Sequence, residues 1–371
     1  MKITVFFTFD VSLKDWFHSG LFSREISLYK KLIDLGHTVQ FLTYGDESDL
    51  LYENYLKGIK LIPVYTRLWR SDIRFFRIVT SFLIPILFKN ELMFCNIYKA
   101  NQIIGAWVAV LSKFLYKTPI VQRCGYEPLK NSIINRDKLS RKIFLYLTSF
   151  PSYYYSDKII VTTLDIKEFI IDNYSIRRNK FVTIGNSIDT NMFCPKIINK
   201  DIDILYVGRL SSEKNLELLL RGVKGTNLNV SIIGDGPEYN KLHALTNLYN
   251  LDVTFHGVIQ NDLLPSYYQR SKIFILCSNY EGNPKAMLEA MSCGCPVIGT
   301  NIPGIHNLID SSNGYLIDSN CMSLKSILLK ISNDEKLLSF LGRNSRKKVS
   351  KNYSLSINLK KELSLYSNIL G

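Results

Sequence analysis

The chain has 371 residues, of which 46% are hydrophobic and 21% are charged. This length is too great for one ordinary core and fits two domains of about 150–200 residues, and the composition is that of a folded globular protein rather than a disordered one. The formal net charge of +14 favours anionic partners, such as phosphorylated ligands, nucleic acid or an anionic membrane. Because no zinc-finger spacing or aromatic RNA-binding segment is present, we expect no nucleic-acid partner.

The cysteines and the apolar runs restrict the cellular setting. The seven cysteines include no Cys-x-x-Cys pair, and the Cys293/Cys295 pair has no second pair or nearby histidine to complete a metal site, which indicates free thiols in a reducing cytosol. The apolar N-terminus meets Asp10 too early for a signal peptide and predicts a buried strand. The longest apolar stretch, residues 78–88, is shorter than the ~20 residues that span a bilayer. We therefore expect a cytoplasmic protein.

Short β-rich runs alternate with longer amphipathic stretches in the first half of the chain. They predict strands at residues 2–9, 38–43, 59–65, 119–123, 158–163 and 181–185. The stretches between them predict helices near residues 20–35, 72–89, 103–116, 138–155 and 164–173. Such alternation is typical of a parallel sheet that is covered by helices on both faces.

A polar, irregular segment from Thr190 to Lys200 interrupts this alternation and is predicted to be an interdomain linker. The pattern then restarts and predicts strands at residues 203–207, 229–233, 252–256, 272–276, 296–299 and 314–317, with one long helix over 353–370. We therefore expect domains at residues 1–187 and 201–350, followed by a C-terminal helix at 351–371. Open α/β sheets of this kind bind ligands at the carboxyl ends of their strands.

The most informative segment runs from Ser278 to Thr300. A buried strand ends just before it, Gly282 suits a tight turn, Pro284 suits the first turn of a helix, and Gly294 suits its end. The N-terminus of such a helix carries unpaired N–H groups and about half a positive charge. A sugar diphosphate fits this field.

Two carboxylates, Glu281 and Glu289, flank this helix start, although a glutamate near a helix N-terminus is common for dipole reasons alone. Their spacing, with the trailing Ala-Met-Ser-Cys-Gly-Cys-Pro, closely resembles the family 4 retaining glycosyltransferases of the GT-B fold over about 20 residues. The resemblance implies two Rossmann-like domains with parallel sheets that face each other across a cleft, and a C-terminal helix that crosses back to the first domain. It gives Glu281 a catalytic contact with the donor sugar and gives Glu289 the ribose hydroxyls. The resemblance also assigns donor binding to Gly282, Asn283, Pro284, Lys285 and Ala286.

Two other segments of the second half fit the same resemblance. Gly208, Arg209 and Lys214 follow its first predicted strand, and the resemblance gives the two cations the catalytic task of neutralising a departing nucleoside diphosphate in place of a metal. The alternative interpretation is that Arg209 and Lys214 belong to an ordinary basic helix start that faces solvent. Gly257 and Val258 resemble the base-binding turn, which leaves the base undetermined. We expect no metal or other cofactor, with a nucleoside-diphosphate sugar as the donor substrate.

The first half carries weaker signals for the acceptor. Ser19 and Gly20 follow the first predicted strand, in a position suited to a phosphate or to the acceptor. Arg123 and Cys124 stand where many family members carry a His-Gly pair, so they are acceptor-side candidates while the catalytic base stays unassigned.

Two stretches of the first half, residues 67–77 and 138–155, are both basic and aromatic. Such segments can lie in a membrane interface, although a helix that packs its apolar side on the sheet has the same composition. We expect a possible peripheral contact with the anionic inner face of a membrane.

Together these features predict a glycosyltransferase that moves a sugar, with retention of anomeric configuration, to a glycan or lipid-linked acceptor in bacterial-type surface polysaccharide or lipopolysaccharide synthesis. Two alternatives stay open. A GT-B-fold sugar-nucleotide epimerase would need no acceptor. A non-catalytic protein that binds a nucleotide sugar or a polyanion would not require both glutamates and both cations.

Overall fold

The computed structural model describes residues 1–371, and the chain divides into two compact units. Unit 1 contains residues 1–185 and 359–371, and unit 2 contains residues 186–358. The chain therefore ends in the unit in which it begins.

Unit 1 is built on a seven-stranded parallel sheet with the order β3-β2-β1-β4-β5-β6-β7. Its order reverses between β1 and β4, so the loops after these two strands flank the topological switch point. The strands are β1 (Lys2–Phe6), β2 (Thr38–Thr43), β3 (Lys60–Pro63), β4 (Ile97–Ala100), β5 (Ile120–Cys124), β6 (Lys158–Val161) and β7 (Phe181–Thr183).

Helices cover both faces of this sheet, because parallel strands need crossover connections and the strand order reverses at the switch point. Side chains alternate along β1: Ile3 and Val5 pack into one core, whereas Phe6 packs into the core on the other face. The helices are α1 (Leu13–His18), α2 (Phe22–Asp34), α3 (Arg74–Ser81), α4 (Ile84–Leu87), α5 (Lys89–Leu92), α6 (Trp107–Tyr116), α7 (Pro128–Ile134), α8 (Leu139–Tyr155) and α9 (Leu164–Tyr174).

Unit 2 is built on a six-stranded parallel sheet with the order β10-β9-β8-β11-β12-β13. Here the order reverses between β8 and β11. The strands are β8 (Ile202–Val207), β9 (Val230–Ile233), β10 (Val253–Phe255), β11 (Ser271–Leu276), β12 (Val297–Thr300) and β13 (Gly314–Ile317). The helices are α10 (Leu216–Val223), α11 (Tyr239–Tyr249), α12 (Leu264–Arg270), α13 (Lys285–Ser292), α14 (Cys321–Ile331), α15 (Glu335–Asn352) and α16 (Leu355–Leu370).

The last helix confirms the predicted return to the first domain. α16 begins in unit 2, and its residues from 359 onward belong to unit 1. There Leu359, Leu365 and Tyr366 join the core that contains Ile3 and Val5. Burial of these side chains ties the end of the chain to the unit 1 sheet.

The predicted elements of the first half differ from the structure in several places. Helices α1 and α7 are missing from the prediction, and the strand predicted over residues 2–9 ends at Phe6. Strand β4 is missing from the prediction, because it has only four residues and one of them, Lys99, is charged although it is buried. The helix predicted over 72–89 is divided into α3, α4 and α5. The helix predicted over 103–116 begins only at Trp107, because Gly105 has a φ of +100°, which a helix does not accommodate.

The segment from Thr190 to Lys200, predicted to be a linker, lies within unit 2. Arg346 on α15 donates hydrogen bonds to the carbonyl oxygens of Phe193 (2.8 Å) and Thr190 (2.9 Å). Lys200 Nζ donates to the carbonyl oxygen of Ser271 at 2.6 Å. These bonds to backbone oxygens, which no sequence pattern predicts, hold the segment against the second sheet. No helix of the protein is long and apolar enough to cross a bilayer.

Candidate functional site

The carboxyl ends of β8 and β11 lie side by side at the switch point of the unit 2 sheet. The loop after β8 carries Arg209 and Lys214, and the loop after β11 carries Glu281. Ligands of open parallel sheets bind at this position because the two loops diverge there and leave a crevice. The strand order therefore brings together candidate residues that come from separate parts of the sequence.

Lys214 and Glu281 form an ion pair at this position. Lys214 Nζ lies 2.7 Å from Glu281 Oε1, and the hydroxyl of Ser278 donates to the same oxygen at 2.7 Å. The side chains are only 19% and 10% exposed, so the two charges are screened less than a surface pair would be. Both bonds reach Oε1, which leaves Oε2 of Glu281 open to accept a bond from a ligand.

Arg209 is exposed in the same loop, and its guanidinium makes no ion pair within the protein. Its backbone is held instead: the Tyr206 hydroxyl donates to the Arg209 carbonyl oxygen at 3.0 Å. A cation on a fixed loop that forms no ion pair within the protein is suited to an anionic ligand.

Glycines allow the loops after β8, β9 and β10 to pack backbone against backbone. Gly234 has a φ of +130°, and a Cβ built on it would lie 1.9 Å from the carbonyl oxygen of Gly208. The Gly234 N–H donates to the carbonyl oxygen of Gly257 at 2.7 Å. Val258 follows and is exposed. The candidates Gly208, Gly257 and Val258 thus lie on adjoining loops at one edge of the sheet.

The helix that follows β11 begins where the sequence predicts. Pro284 is the N-cap of α13, Cys293 is its C-cap and Gly294 follows with a φ of +76°. Because α13 follows a parallel strand, its N-terminus lies at the carboxyl edge of the sheet. Lys285 and Ala286, the first residues of the helix, are half-buried.

Two contacts fix the loop before α13. The Asn283 side-chain oxygen accepts from the Asn186 N–H at 2.7 Å, and the Asn186 amide donates to the Asn283 carbonyl oxygen. Gly304, in the loop after β12, lies against Glu281 and Gly282, because a Cβ there would stand 2.2 Å from the Gly282 carbonyl oxygen. Sequence reasoning missed Gly304; the only signal was a Pro-Gly turn after a strand.

Glu289 belongs to a different network from Glu281. It is 1% exposed, and its two oxygens accept bonds from Asn261 Nδ2 (3.0 Å) and from the Tyr268 hydroxyl (2.8 Å). Tyr268 lies on α12, so the carboxylate joins α13 to α12. The structure therefore does not bring the Glu289 carboxylate into the Lys214–Glu281 pair, because this turn of α13 faces the core.

The acceptor-side candidates of unit 1 differ in their exposure and contacts. Ser19 and Gly20 do not directly follow β1: helix α1 intervenes, and the Ser19 hydroxyl donates to the Asp15 carbonyl oxygen as part of the helix end. Cys124 is fully buried, and burial raises the pKa of its thiol to about 12. Its sulfur lies 3.4 Å from the Tyr153 hydroxyl. The Cys124 side chain is therefore inaccessible, whereas Ser19 is exposed at the end of α1.

Arg123 takes part in a buried charge cluster of unit 1. Its Nη1 lies 3.8 Å from Glu362 Oε1 on α16, and Lys99 Nζ on β4 lies 2.6 Å from Glu362 Oε2. The Tyr366 hydroxyl donates to the same carboxylate at 2.8 Å. Arg123 is 15% exposed and faces α16, so its position is explained by the attachment of the last helix.

Two Rossmann-like α/β units, with a last helix that returns to the first unit, define the GT-B class. Two known families match the chain and agree with this fold class. The family described as glycosyl transferases group 1 matches residues 187–348, and Glycosyltransferase Family 4 matches residues 25–192. Each model matches somewhat less than half of the chain, and together they span residues 25–348, so the chain is similar to glycosyltransferases of these two families over most of its length.

Individual relatives match over different lengths. The capsular polysaccharide biosynthesis glycosyltransferase CapM of Staphylococcus aureus is 23% identical over 95% of this chain and 97% of its own. An uncharacterized glycosyltransferase of Methanocaldococcus jannaschii is 30% identical over 61% of each chain. The UDP-Gal:alpha-D-GlcNAc-diphosphoundecaprenol alpha-1,3-galactosyltransferase of Escherichia coli is 28% identical over 55% of this chain and 58% of its own. In the last two cases the match spans less than two thirds of the relative.

Solved structures share the fold over nearly the whole chain. Sucrose-phosphate synthase from Thermosynechococcus elongatus has a TM-score of 0.82 at 17% identity, over 100% of this chain and 99% of its own. Anabaena HepE in complex with UDP and glucose has a TM-score of 0.79 at 17% identity, over 99% and 100%.

Proposed function

We propose that this protein is a metal-independent retaining glycosyltransferase that moves a sugar from a nucleoside-diphosphate sugar to a glycan or lipid-linked acceptor. The observation that carries the proposal is the Lys214–Glu281 pair at the switch point of the unit 2 sheet. In this proposal Glu281 and the cations Arg209 and Lys214 act on the reacting donor, and the loop around Asn283 binds it.

The charge distribution of the site suits the departure of a nucleoside diphosphate. Negative charge grows on the diphosphate as the bond to the sugar breaks, and fixed cations stabilise that charge without reorganising. Lys214 is held by Glu281 before the donor binds, whereas Arg209 is exposed. The N–H groups at the start of α13 add to the positive field at the same edge. Oε2 of Glu281 is left to accept a hydrogen bond from a sugar hydroxyl.

The substrate class is supported by what the related proteins are named for. The HepE structure was solved with UDP and glucose. The Escherichia coli relative is named for UDP-Gal and for a diphosphoundecaprenol-linked sugar, and CapM for capsular polysaccharide. We infer a role in surface polysaccharide or lipopolysaccharide synthesis, at the cytoplasmic face of a membrane that holds the acceptor. The base of the donor is left to experiment.

A binding screen tests the donor. We expect one of UDP, GDP and ADP, or one of their sugars, to raise the unfolding temperature by mass action, with no added divalent metal and with EDTA present. NMR of the product made with a lipid-linked acceptor should then show the anomeric configuration of the donor. Donor conversion without any acceptor would indicate the epimerase instead, and failure to bind every nucleotide sugar would overturn the proposal.

Variants test the roles of the two cations. Arg209→Met and Lys214→Met should each lower kcat by about 10²–10³-fold, the usual cost of losing one donor to a developing anion. The matched control is Lys272→Met. Lys272 makes the same kind of pair, 2.8 Å from Asp203, but at the amino ends of β8 and β11. Equal losses in the control and in Lys214→Met would show that the effect comes from a damaged fold.

A further inference from the structure

The connection between β3 and β4 exposes an unusual amount of apolar side chain. Ten large apolar residues between positions 69 and 94 are exposed, although the segment is folded into α3, α4 and α5. Exposed apolar side chains are ordinary when scattered, but a contiguous group indicates an interaction site. We name this group the connection surface; it consists of Trp69, Ile73, Phe75, Phe76, Val79, Phe82, Leu83, Ile86, Leu87 and Phe94.

Hydrogen bonds from the rest of unit 1 hold the connection surface in place. Arg77 on α3 donates from Nη2 to Asp10 Oδ2 at 2.6 Å and from Nη1 to the Ser71 carbonyl oxygen at 2.8 Å. Trp107 Nε1 on α6 donates to Ser81 Oγ at 2.9 Å. The apolar side chains of α3 therefore point outward from an anchored helix, and their exposure is not that of a loose loop.

Basic side chains border the apolar ones. Arg74 and Lys89 are exposed and make no ion pair, and Arg67 and Arg70 are about half exposed. Asp72 is the only exposed acidic residue between positions 69 and 94, because Glu91 is buried against Arg67. Apolar residues surrounded by positive charge match the boundary of an anionic lipid leaflet, where acyl chains adjoin negative headgroups.

We propose that the connection surface docks unit 1 on an anionic lipid membrane, with the side chains of α3 and α4 inserted at the headgroup boundary. A second copy of the chain fits less well, because Arg74 and Lys89 of one copy would approach the same positive charges of the other. The second basic and aromatic stretch of unit 1 adds to the contact: Leu139, Ile143 and Leu147 on α8 are exposed beside Lys138 and Lys142. This assignment chooses between the two readings that the sequence leaves open for residues 67–77.

The docking bears on catalysis only through the proposed function. Asp10, which anchors α3 through Arg77, follows β1 at the switch point of the unit 1 sheet. A membrane against α3 would present a lipid-linked acceptor next to that edge. This consequence rests on the proposed transfer, whereas the docking itself can be measured without it.

Vesicle sedimentation of the full chain tests the docking. We expect binding to vesicles of phosphatidylcholine with 30% phosphatidylglycerol (about a third anionic lipid, enough for the headgroup attraction) and much weaker binding to phosphatidylcholine alone. Phe75→Ser/Ile86→Ser should lower the partition coefficient at least tenfold, and so should Arg74→Glu/Lys89→Glu. The matched control is Leu248→Ser/Leu329→Ser in unit 2, where the side chains are 74% and 60% exposed, against 65% for Phe75 and 64% for Ile86.

Each outcome decides for or against the docking. Loss of binding in both unit 1 variants but not in the control supports it. Equal binding of the unit 1 variants and the wild type overturns it, as does equal binding to neutral and anionic vesicles. Loss of a dimer in the Phe75→Ser/Ile86→Ser variant would assign the surface to a second copy instead. Nucleotide binding by the same preparations reports separately on the proposed function, so the two ideas can fail independently.

Discussion

The buried charge cluster that attaches α16 to unit 1 makes a sharp stability prediction. Lys99 and Glu362 are 1% and 2% exposed, lie 263 positions apart in the chain and are joined by a bond of 2.6 Å. Glu362→Gln keeps the shape of the side chain but removes its charge. Lys99 then loses the carboxylate that lies 2.6 Å from its ammonium group, and it cannot be solvated where it lies.

The magnitude follows from this burial. Removing one partner of a buried ion pair costs about 3–5 kcal/mol, because the remaining charge stays desolvated. Unit 1 has about 200 residues, and for that size each kcal/mol shifts the unfolding temperature by about 2–4 °C. We therefore expect the unfolding temperature of unit 1 to fall by about 6–20 °C. Lys99→Met/Glu362→Leu, which removes both charges, should recover most of that loss.

The effect should depend on pH in a defined direction. Burial alone would raise the pKa of Glu362, but the charges of Lys99 and Arg123 outweigh it and lower the pKa below its usual value of 4.5. A carboxyl with a lowered folded-state pKa stabilises the fold above its unfolded pKa and loses that contribution as the pH falls through the folded value. The gap between wild type and Glu362→Gln should thus be full at pH 6 and shrink below about pH 4.5.

Tryptophan fluorescence is the suitable assay. All three tryptophans of the chain, Trp16, Trp69 and Trp107, lie in unit 1, so their signal follows this unit alone. The control is Asp34→Asn, which breaks an exposed pair with Lys57 and should change the stability little, because solvent screens both charges. Two results would refute the reasoning. One is an unfolding temperature of Glu362→Gln within about 2 °C of the control, which corresponds to no more than about 1 kcal/mol. The other is a double variant that is as unstable as the single one.

Three further outcomes are expected in unit 2. Glu289→Gln should lower the stability of unit 2 by about 1–3 kcal/mol, because the amide keeps only one acceptor oxygen for the two buried donors, Asn261 and Tyr268. Chemical denaturation that shows no change would mean that the network with α12 contributes little. Lys348 holds the pKa of Asp310 at about 2, so the stability lost in Asp310→Asn should be present at pH 6 and diminish as the pH falls toward 2, with a total under about 1 kcal/mol since the carboxyl is half exposed. Burial raises the pKa of Cys277 to about 12, so iodoacetamide at pH 8 should label the partly exposed Cys194 and spare Cys277, as peptide mass spectrometry would reveal.

Much of the architecture could be predicted because it depends on local patterns. Residues 38–43 include three β-branched side chains and two further apolar ones, and the strand occurs at Thr38–Thr43. The second half behaves likewise, with β13 at the predicted residues 314–317. The start of α13 was predicted because proline and glycine act on their own backbone, whatever surrounds them. Strand β4 was missed because burial of Lys99 depends on a partner at the far end of the chain.

The sequence by itself determined the α/β class, the helix that begins after Pro284, and the residue types of the candidate site. Only the tertiary structure decided which of those residues meet. Glu281 contacts Lys214 because β8 and β11 are neighbours at a switch point. In contrast, Glu289 points into the core, and Cys124 is buried next to Tyr153. A local pattern sets backbone conformation within a few residues, but the partner of a charged side chain depends on strand order and burial, which arise only when distant segments pack together.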